Sequence, residues 1–134
     1  MDPAGAAGGG GVWHLCRRAR RIAGSVAAMQ IVNLRFYVKP ELADEFPAAI
    51  ADLVQATRAE PGNLWYLWSR SIDDPNEFIV VEGYTDEGFA AHAQSAHFQA
   101  GGATIAPFLA KTPDIIVRQV EGDGWEPLSV LAVD

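Results

Sequence analysis

The sequence holds one cysteine, Cys16, and it lies outside the regular part of the chain. A single thiol cannot make an intrachain disulfide, and no cysteine pair exists for a thiolate metal site. From residue 29 onward there is no cysteine nucleophile at all. A reducing cytoplasm is the expected compartment. Long hydrophobic runs are missing too: no stretch approaches the ~18 apolar residues that a membrane-spanning helix needs. There is no G-x-G-x-x-G, no Walker loop and no G-x-S-x-G elbow, so the sequence makes no case for a nucleotide or an acyl-enzyme. Basic side chains are scarce as well. Residues 1–28 carry Arg17, Arg18, Arg20 and Arg21 against one acid, Asp2, which leaves six basic and sixteen acidic residues in 29–134, a net charge of about −10. A body that acidic repels phosphate backbones, and nucleic acid is not an expected partner.

What remains is an ordinary globular composition, 49% apolar and 20% charged over 134 residues, enough for one domain and too short for two. Residues 1–11, MDPAGAAGGGG, are glycine- and alanine-rich and read as disordered. The arginines that follow precede only the short stretch Ile22–Ala28, too brief and alanine-rich for the apolar core of a signal peptide. Residues 1–28 therefore read as an over-extended start, with Met29 as the natural beginning; a tag remnant and a true basic arm are the alternatives. The domain is assigned to 29–121, and residues 122–134 form a tail.

Within the domain, Gln30–Val38 alternates, with Val32, Leu34, Phe36 and Val38 on one side and Ile31, Asn33, Arg35 and Tyr37 on the other. That is a strand, ended by Lys39-Pro40. Leu42, Phe46, Ile50 and Leu53 recur at helical spacing over Glu41–Ala59, with Pro47 either in a first turn or at a kink. Glu60-Pro61-Gly62-Asn63 is a turn. Leu64–Ser71 and Glu77–Tyr84 read as a hairpin about Asp73–Asn76. A second helix, capped by Thr85 or Asp86, runs to about Gln99 with Phe89, Ala93, Ala96 and Ala100 on one stripe, and Gly101-Gly102 interrupts it. A helical turn near Ile105–Leu109 and a strand Asp114–Val120 complete β-α-β-β-α-β, the ferredoxin-like α+β order. One layer of helices covers one face of such a sheet. The other face implies a partner, and a homodimer is expected, with Trp125–Leu128 available to cross onto the neighbour.

Three segments carry a family resemblance: EPGNL (Glu60–Leu64), FIVVEGYTDE (Phe78–Glu87) and AHAQSAHF (Ala91–Phe98). Their wording and spacing, with a last strand after them, resemble the antibiotic biosynthesis monooxygenase family over about residues 30–120. The resemblance implies a dimeric α+β barrel with a cleft between sheet and helices in each subunit. It implies one of several chemistries: cofactor-free oxygenation of quinols and polycyclic phenols, haem degradation, or isomerisation of a phosphorylated quorum-sensing dione. The EPGNL and E-x-Y-x-D-E wording is similar to the isomerases. Tyr84 stands near where haem-degrading members carry tryptophan, which counts against haem. Asn33 matches an asparagine of haem-degrading and some phenol-oxidising members.

The candidate catalytic residues are His92, Asn33 and Tyr84. His92 titrates near neutrality and suits proton removal from a phenol or an enolisable carbon. Asn33 and Tyr84 would hold substrate oxygens. Candidate substrate contacts are Trp65, Trp68, Glu82, His97 and Phe98. Each has a structural alternative: His92 tying its helix to the sheet, His97 anchoring a helix end, Glu82 as a buried partner for Arg35, and the tryptophans as core. Trp65 and Trp68, three apart on one strand, face opposite ways. His92 and His97, five apart on one helix, would stand about 140° apart and could not share a metal. Neither a metal nor a cofactor is therefore expected. The leading expectation is a cofactor-independent monooxygenase on a small electron-rich aromatic. The alternatives are an isomerase moving a proton next to a carbonyl, which for a phosphorylated substrate needs a pocket lined by basic residues, and a non-catalytic dimer binding a hydrophobic ligand.

Overall fold

Period-two alternation in the first strand leaves open which of its faces the helices cover, and packing answers that. In the computed structural model, which describes residues 27–134, strand β1 spans Ala28–Val38. Val32, Phe36 and Val38 are buried beneath the helices, while Asn33 and Arg35 are exposed on the far side. The expectations for the N-terminal extension fall on residues 1–26, outside the described residues.

Three more strands pair antiparallel around β1: β2 (Asn63–Arg70), β3 (Glu77–Thr85) and β4 (Leu109–Glu121), in the order β2-β3-β1-β4. The last strand begins five residues before the expected Asp114 and contains Pro113. A proline is tolerated there because β4 is an edge strand, and because the register slips between Arg35 and Tyr37 where the proline sits.

The predicted helix over 41–59 is instead a 3₁₀ turn, Pro40–Leu42, followed by α1 (Phe46–Ala49) and α2 (Ala51–Arg58), joined at Ile50. Pro47 falls in the first turn of α1, where its missing N–H leaves no bond unmade. Phe46 is fully buried at the centre of an aromatic cluster, its ring 4.9 Å from Phe78, 5.5 Å from Phe108 and 5.8 Å from Trp68. Truncating such a side chain to alanine costs about 3–5 kcal/mol.

The second helical segment also differs from the sequence reading. Thr85 caps α3 (Asp86–Gln94), its hydroxyl accepting from Gly88 N at 3.0 Å. The chain then leaves the helix at Ser95, which is extended (φ −70°, ψ 149°) and caps a new helix, α4 (Ala96–Ile105). The break is thus at Ser95 and not at Gly101-Gly102, which lie inside α4. A Cβ at Gly101 would come 2.7 Å from Leu53 Cδ2, so this glycine lets α4 press onto α2. The open sheet face keeps Leu67 and Ile116 exposed. Trp125 of the tail packs on Trp65 of its own chain, ring centroids 5.3 Å apart. No helix among the described residues is long and apolar enough to cross a membrane.

Candidate active site: an apolar cleft backed by a histidine–glutamate cluster

The turn after α2 is pinned to the start of α3 by two glycines. A Cβ on Gly88 would fall 2.5 Å from Gly62 Cα, and one on Gly62 would fall 2.3 Å from Gly88 Cα. Only bare backbone fits, and Thr85 N closes the contact by donating to Gly62 O at 2.9 Å. That close approach carries Glu60, at the head of the turn, beneath the last turn of α3.

There Glu60 meets both histidines. Its Oε1 accepts from His92 Nδ1 at 2.6 Å and from His97 Nε2 at 2.5 Å. A continuous helix would have splayed the two rings apart. The break at Ser95 reverses this, because Ser95 Oγ donates to His92 O at 2.7 Å and accepts from Phe98 N at 3.2 Å, so α3 ends and α4 starts about one residue. The expectation that His92 and His97 stand on one helix, too far apart in angle to share a metal, is therefore corrected: they lie in different helices and converge on Glu60. Burial lowers the pKa of His92, against the hydrogen bond and charge of Glu60, which raise it. His92 is thus held neutral, with Nδ1–H fixed on Glu60 and Nε2 making no hydrogen bond to the described residues.

The His92 ring also lines a cleft of about 260 Å³ between the sheet and α3–α4. Its walls are apolar, among them Val32, Leu34, Phe89 and Ile105, with Trp68 and Phe98 as flat surfaces. Among the described residues Glu82 is the one acid lining it, and no lysine or arginine does. Glu82 Oε2 accepts from the Tyr84 hydroxyl at 2.9 Å. Burial pushes the Glu82 carboxyl up to about 7, opposed by that hydrogen bond. Burial raises the Tyr84 phenol well above its usual range, helped by the negative charge of Glu82, so it acts as a donor and not as an anion. Its ring lies 4.9 Å from that of His92. The cleft therefore offers a neutral imidazole and a carboxyl poised between its two states, in surroundings that suit a small, uncharged, planar molecule.

The model of the family described as antibiotic biosynthesis monooxygenase matches residues 29–104. The chain belongs to the antibiotic biosynthesis monooxygenase family. It is 33% identical over 89 residues to "Putative monooxygenase YcnE" of Bacillus subtilis (strain 168), which covers 66% of this chain and 94% of that protein. A solved structure described as a putative antibiotic biosynthesis monooxygenase from Caulobacter crescentus CB15 superposes with a TM-score of 0.65 at 29% identity, over 75% of this chain and 93% of that one. A second, so described from Nitrosomonas europaea, gives 0.62 at 27% identity, over 66% and 95%. These likenesses attach a monooxygenase-type family to the chain and name no substrate for it.

Set against this cleft, the sequence-derived candidates divide by face. His92, Glu82, Trp68 and Phe98 line it on the helix side, and His97 stands behind His92 through Glu60; Tyr84, expected to hold a substrate oxygen, is fully buried outside the lining and spends its hydroxyl on Glu82. Asn33 does not join them. It lies on the open face, beside Trp65 and Val81, because strand pleating sends odd-numbered residues of β1 away from the helices. Trp65 is likewise on the open face, its ring over Gly83. Arg35 pairs at 2.9 Å with Glu77 and not with Glu82, again a matter of face. Sequence reasoning did not nominate Glu60, although an acid directly before Pro-Gly in a turn following a helix was visible in the EPGNL segment. It also passed over Ser95.

Proposed function

We propose that this family member is a monooxygenase that oxidises a small, neutral, electron-rich phenol or quinol with dioxygen, using no bound cofactor. The observation that supports the reading best is His92, fixed through Nδ1 by Glu60 with its ring in the wall of an apolar cleft. In this scheme Nε2 removes a proton from the substrate (the acidic CH₂ of an anthrone-type phenol is the simplest case). The resulting anion passes one electron to dioxygen, and the radical pair combines into a peroxide. His92 returns its proton to the peroxide, which loses water to leave a ketone. The balance is R₂CH₂ + O₂ → R₂C=O + H₂O. Glu82, which keeps its proton below a pKa of about 7 and bonds the fully buried Tyr84 hydroxyl, then presents an uncharged polar group to the cleft that does not repel the substrate anion. The isomerase alternative for a phosphorylated substrate needs cations in the cleft, and among the described residues none lines it.

The test is oxygen uptake by the protein with quinols and anthrone-like phenols, wild type against His92→Ala. Uptake above autoxidation that falls by about 100-fold in the variant supports the reading, since a positioned general base contributes about 10²–10⁴-fold. No uptake in folded protein across the panel removes it for this substrate class.

We propose further that the open sheet face pairs with a second copy of the chain. Leu67 and Ile116 remain exposed on it beside the Trp65–Trp125 stack, and a face of this kind pairs with itself about a twofold axis. Sedimentation should give a dimer that Ile116→Lys dissociates; a monomeric wild type overturns this.

A further inference from the structure

We propose that Glu60, His92 and His97 form a binding site for a divalent first-row transition cation, and that the cation switches His92 off as a base. The three side chains each present one ligand atom, and these atoms all lie within 4.8 Å of one another. They come from three different pieces of backbone: the turn after α2, the last turn of α3 and the first turn of α4. The Ser95 break holds the last two in place. Two imidazole nitrogens and one carboxylate oxygen are a donor set for zinc, cobalt or iron, and a poor one for calcium or magnesium, which take oxygen.

The geometry is close to what such an ion needs. With bonds of about 2.0–2.2 Å, tetrahedral ligands stand about 3.3 Å apart. The two contacts to Glu60 Oε1 are at hydrogen-bond length, 2.5 and 2.6 Å, and have to lengthen by under about 1 Å, while ligand atoms up to 4.8 Å apart have to close by about 1.5 Å. Glu60 has a second reason to take a cation. Its Oε2 is buried with no hydrogen-bond partner among the described residues, an arrangement that costs free energy until something positive meets it. Access comes from behind the cleft. His97 is the most exposed of the three, and it lines a separate groove between α2 and α4, bounded by Leu53, Ala56 and Thr104, which leaves a side open to a water as a fourth ligand.

The consequence for catalysis follows from the two nitrogens of one ring. Without the cation, Nδ1 carries the proton and bonds Glu60, which leaves Nε2 as the acceptor nitrogen of a residue that lines the cleft. A cation on Nδ1 takes that lone pair and moves the proton to Nε2, which becomes a donor. The imidazole then cannot remove a proton from a substrate. The site is therefore an inhibitory metal site built from the residues that orient the base; this second step rests on the role proposed for His92 above, whereas binding does not.

The experiment is a titration of the full chain with Co²⁺, read by visible absorption, with Zn²⁺ as competitor. His14 and Cys16 are removed in a His14→Ala, Cys16→Ala background, because they are the remaining imidazole and the one thiol in the chain. One equivalent of Co²⁺ should bind, be displaced by Zn²⁺, and bind at least about tenfold more weakly in Glu60→Gln and His97→Gln, the amide keeping a hydrogen-bond donor toward Glu60 so that the fold is held. No absorption change at millimolar Co²⁺, or binding unaffected by both substitutions in variants with wild-type circular dichroism, overturns the site. Where oxygen uptake is present, Zn²⁺ should abolish it and a chelator restore it; saturating Zn²⁺ that leaves uptake unchanged overturns the switch while the binding result stands by itself.

Discussion

Replacing Glu82 by glutamine should stabilise this protein, and by an amount that depends on pH. The carboxyl is buried on the helix side of β3, opposite Val32 on one neighbouring strand and Tyr66 on the other. Among the described residues its only hydrogen-bond partner is the Tyr84 hydroxyl. Burial holds its pKa at about 7 against an ordinary 4.5. Between those values the folded protein keeps a proton that the unfolded chain has released. Stability contributed by the neutral carboxyl is therefore fully present below about 4.5 and is lost as pH rises through about 7. At about 1.4 kcal/mol per unit, the loss is on the order of 3 kcal/mol by pH 8. Glutamine is nearly the same shape as the protonated acid and can accept the same bond from Tyr84, but it never ionises. Urea unfolding followed by tryptophan fluorescence, on both proteins at pH 5, 6, 7 and 8 and one protein concentration, measures the difference. His92 works in the opposite direction: its depressed pKa costs stability as pH falls below its ordinary value of 6.5. That effect is common to both proteins and cancels when they are subtracted. The variant should exceed wild type by just under about 1 kcal/mol at pH 5 and by progressively more toward pH 8. A difference that is flat across this range, or a glutamine variant weaker than wild type at pH 8, refutes the argument that burial governs Glu82.

Three further outcomes follow from the same geometry. Tyr84→Phe removes the hydrogen bond that holds the Glu82 pKa down, so carboxyl NMR should show Glu82 titrating higher than in wild type; an unchanged or lower value contradicts the contact. Ser95→Ala removes the cap of α4 and should cost about 1 kcal/mol, a fall in Tm of about 4–8 °C, together with weaker proton protection of the His92 and His97 ring N–H groups in NMR. Gly88→Ala places a Cβ 2.5 Å from Gly62 backbone and should destabilise by about 1–3 kcal/mol, more than the same change at Gly102, where a Cβ meets nothing within 4 Å.

The order of elements was legible because each strand and helix advertises its own period. The alternation of β1, the capping residue Thr85 and the turn at Glu60–Asn63 are all local signals, and all stand where the sequence puts them. Helix continuity was less so. Phe89, Ala93, Ala96 and Ala100 keep helical spacing straight through Ser95, so the apolar pattern hides a break that depends on one hydroxyl bonding to both sides of it. Pro47 was the reverse case, an awkward residue for a long helix and an ordinary one in the first turn of a short helix.

The same distinction explains what sequence reasoning did with the site. Strand parity separates residues into two sets with certainty, but it does not say which set meets the helices. Amide chemistry and the family resemblance both point to Asn33, yet Val32, Leu34, Phe36 and Val38 form a uniformly apolar run on the other side of β1, and a strand face sealed under helices requires such a run. That argument was available from the sequence and assigns Asn33 to the opposite face. Glu60 is different. Nothing near it in the chain announces a partner, since His92 and His97 lie 32 and 37 residues away. What brings them together is the contact of Gly62 with Gly88, two residues whose role is to have no side chain. A site assembled through an absence of atoms leaves little trace in residue chemistry, and this is why the group that orients the histidine was the one that chemistry-led reading overlooked.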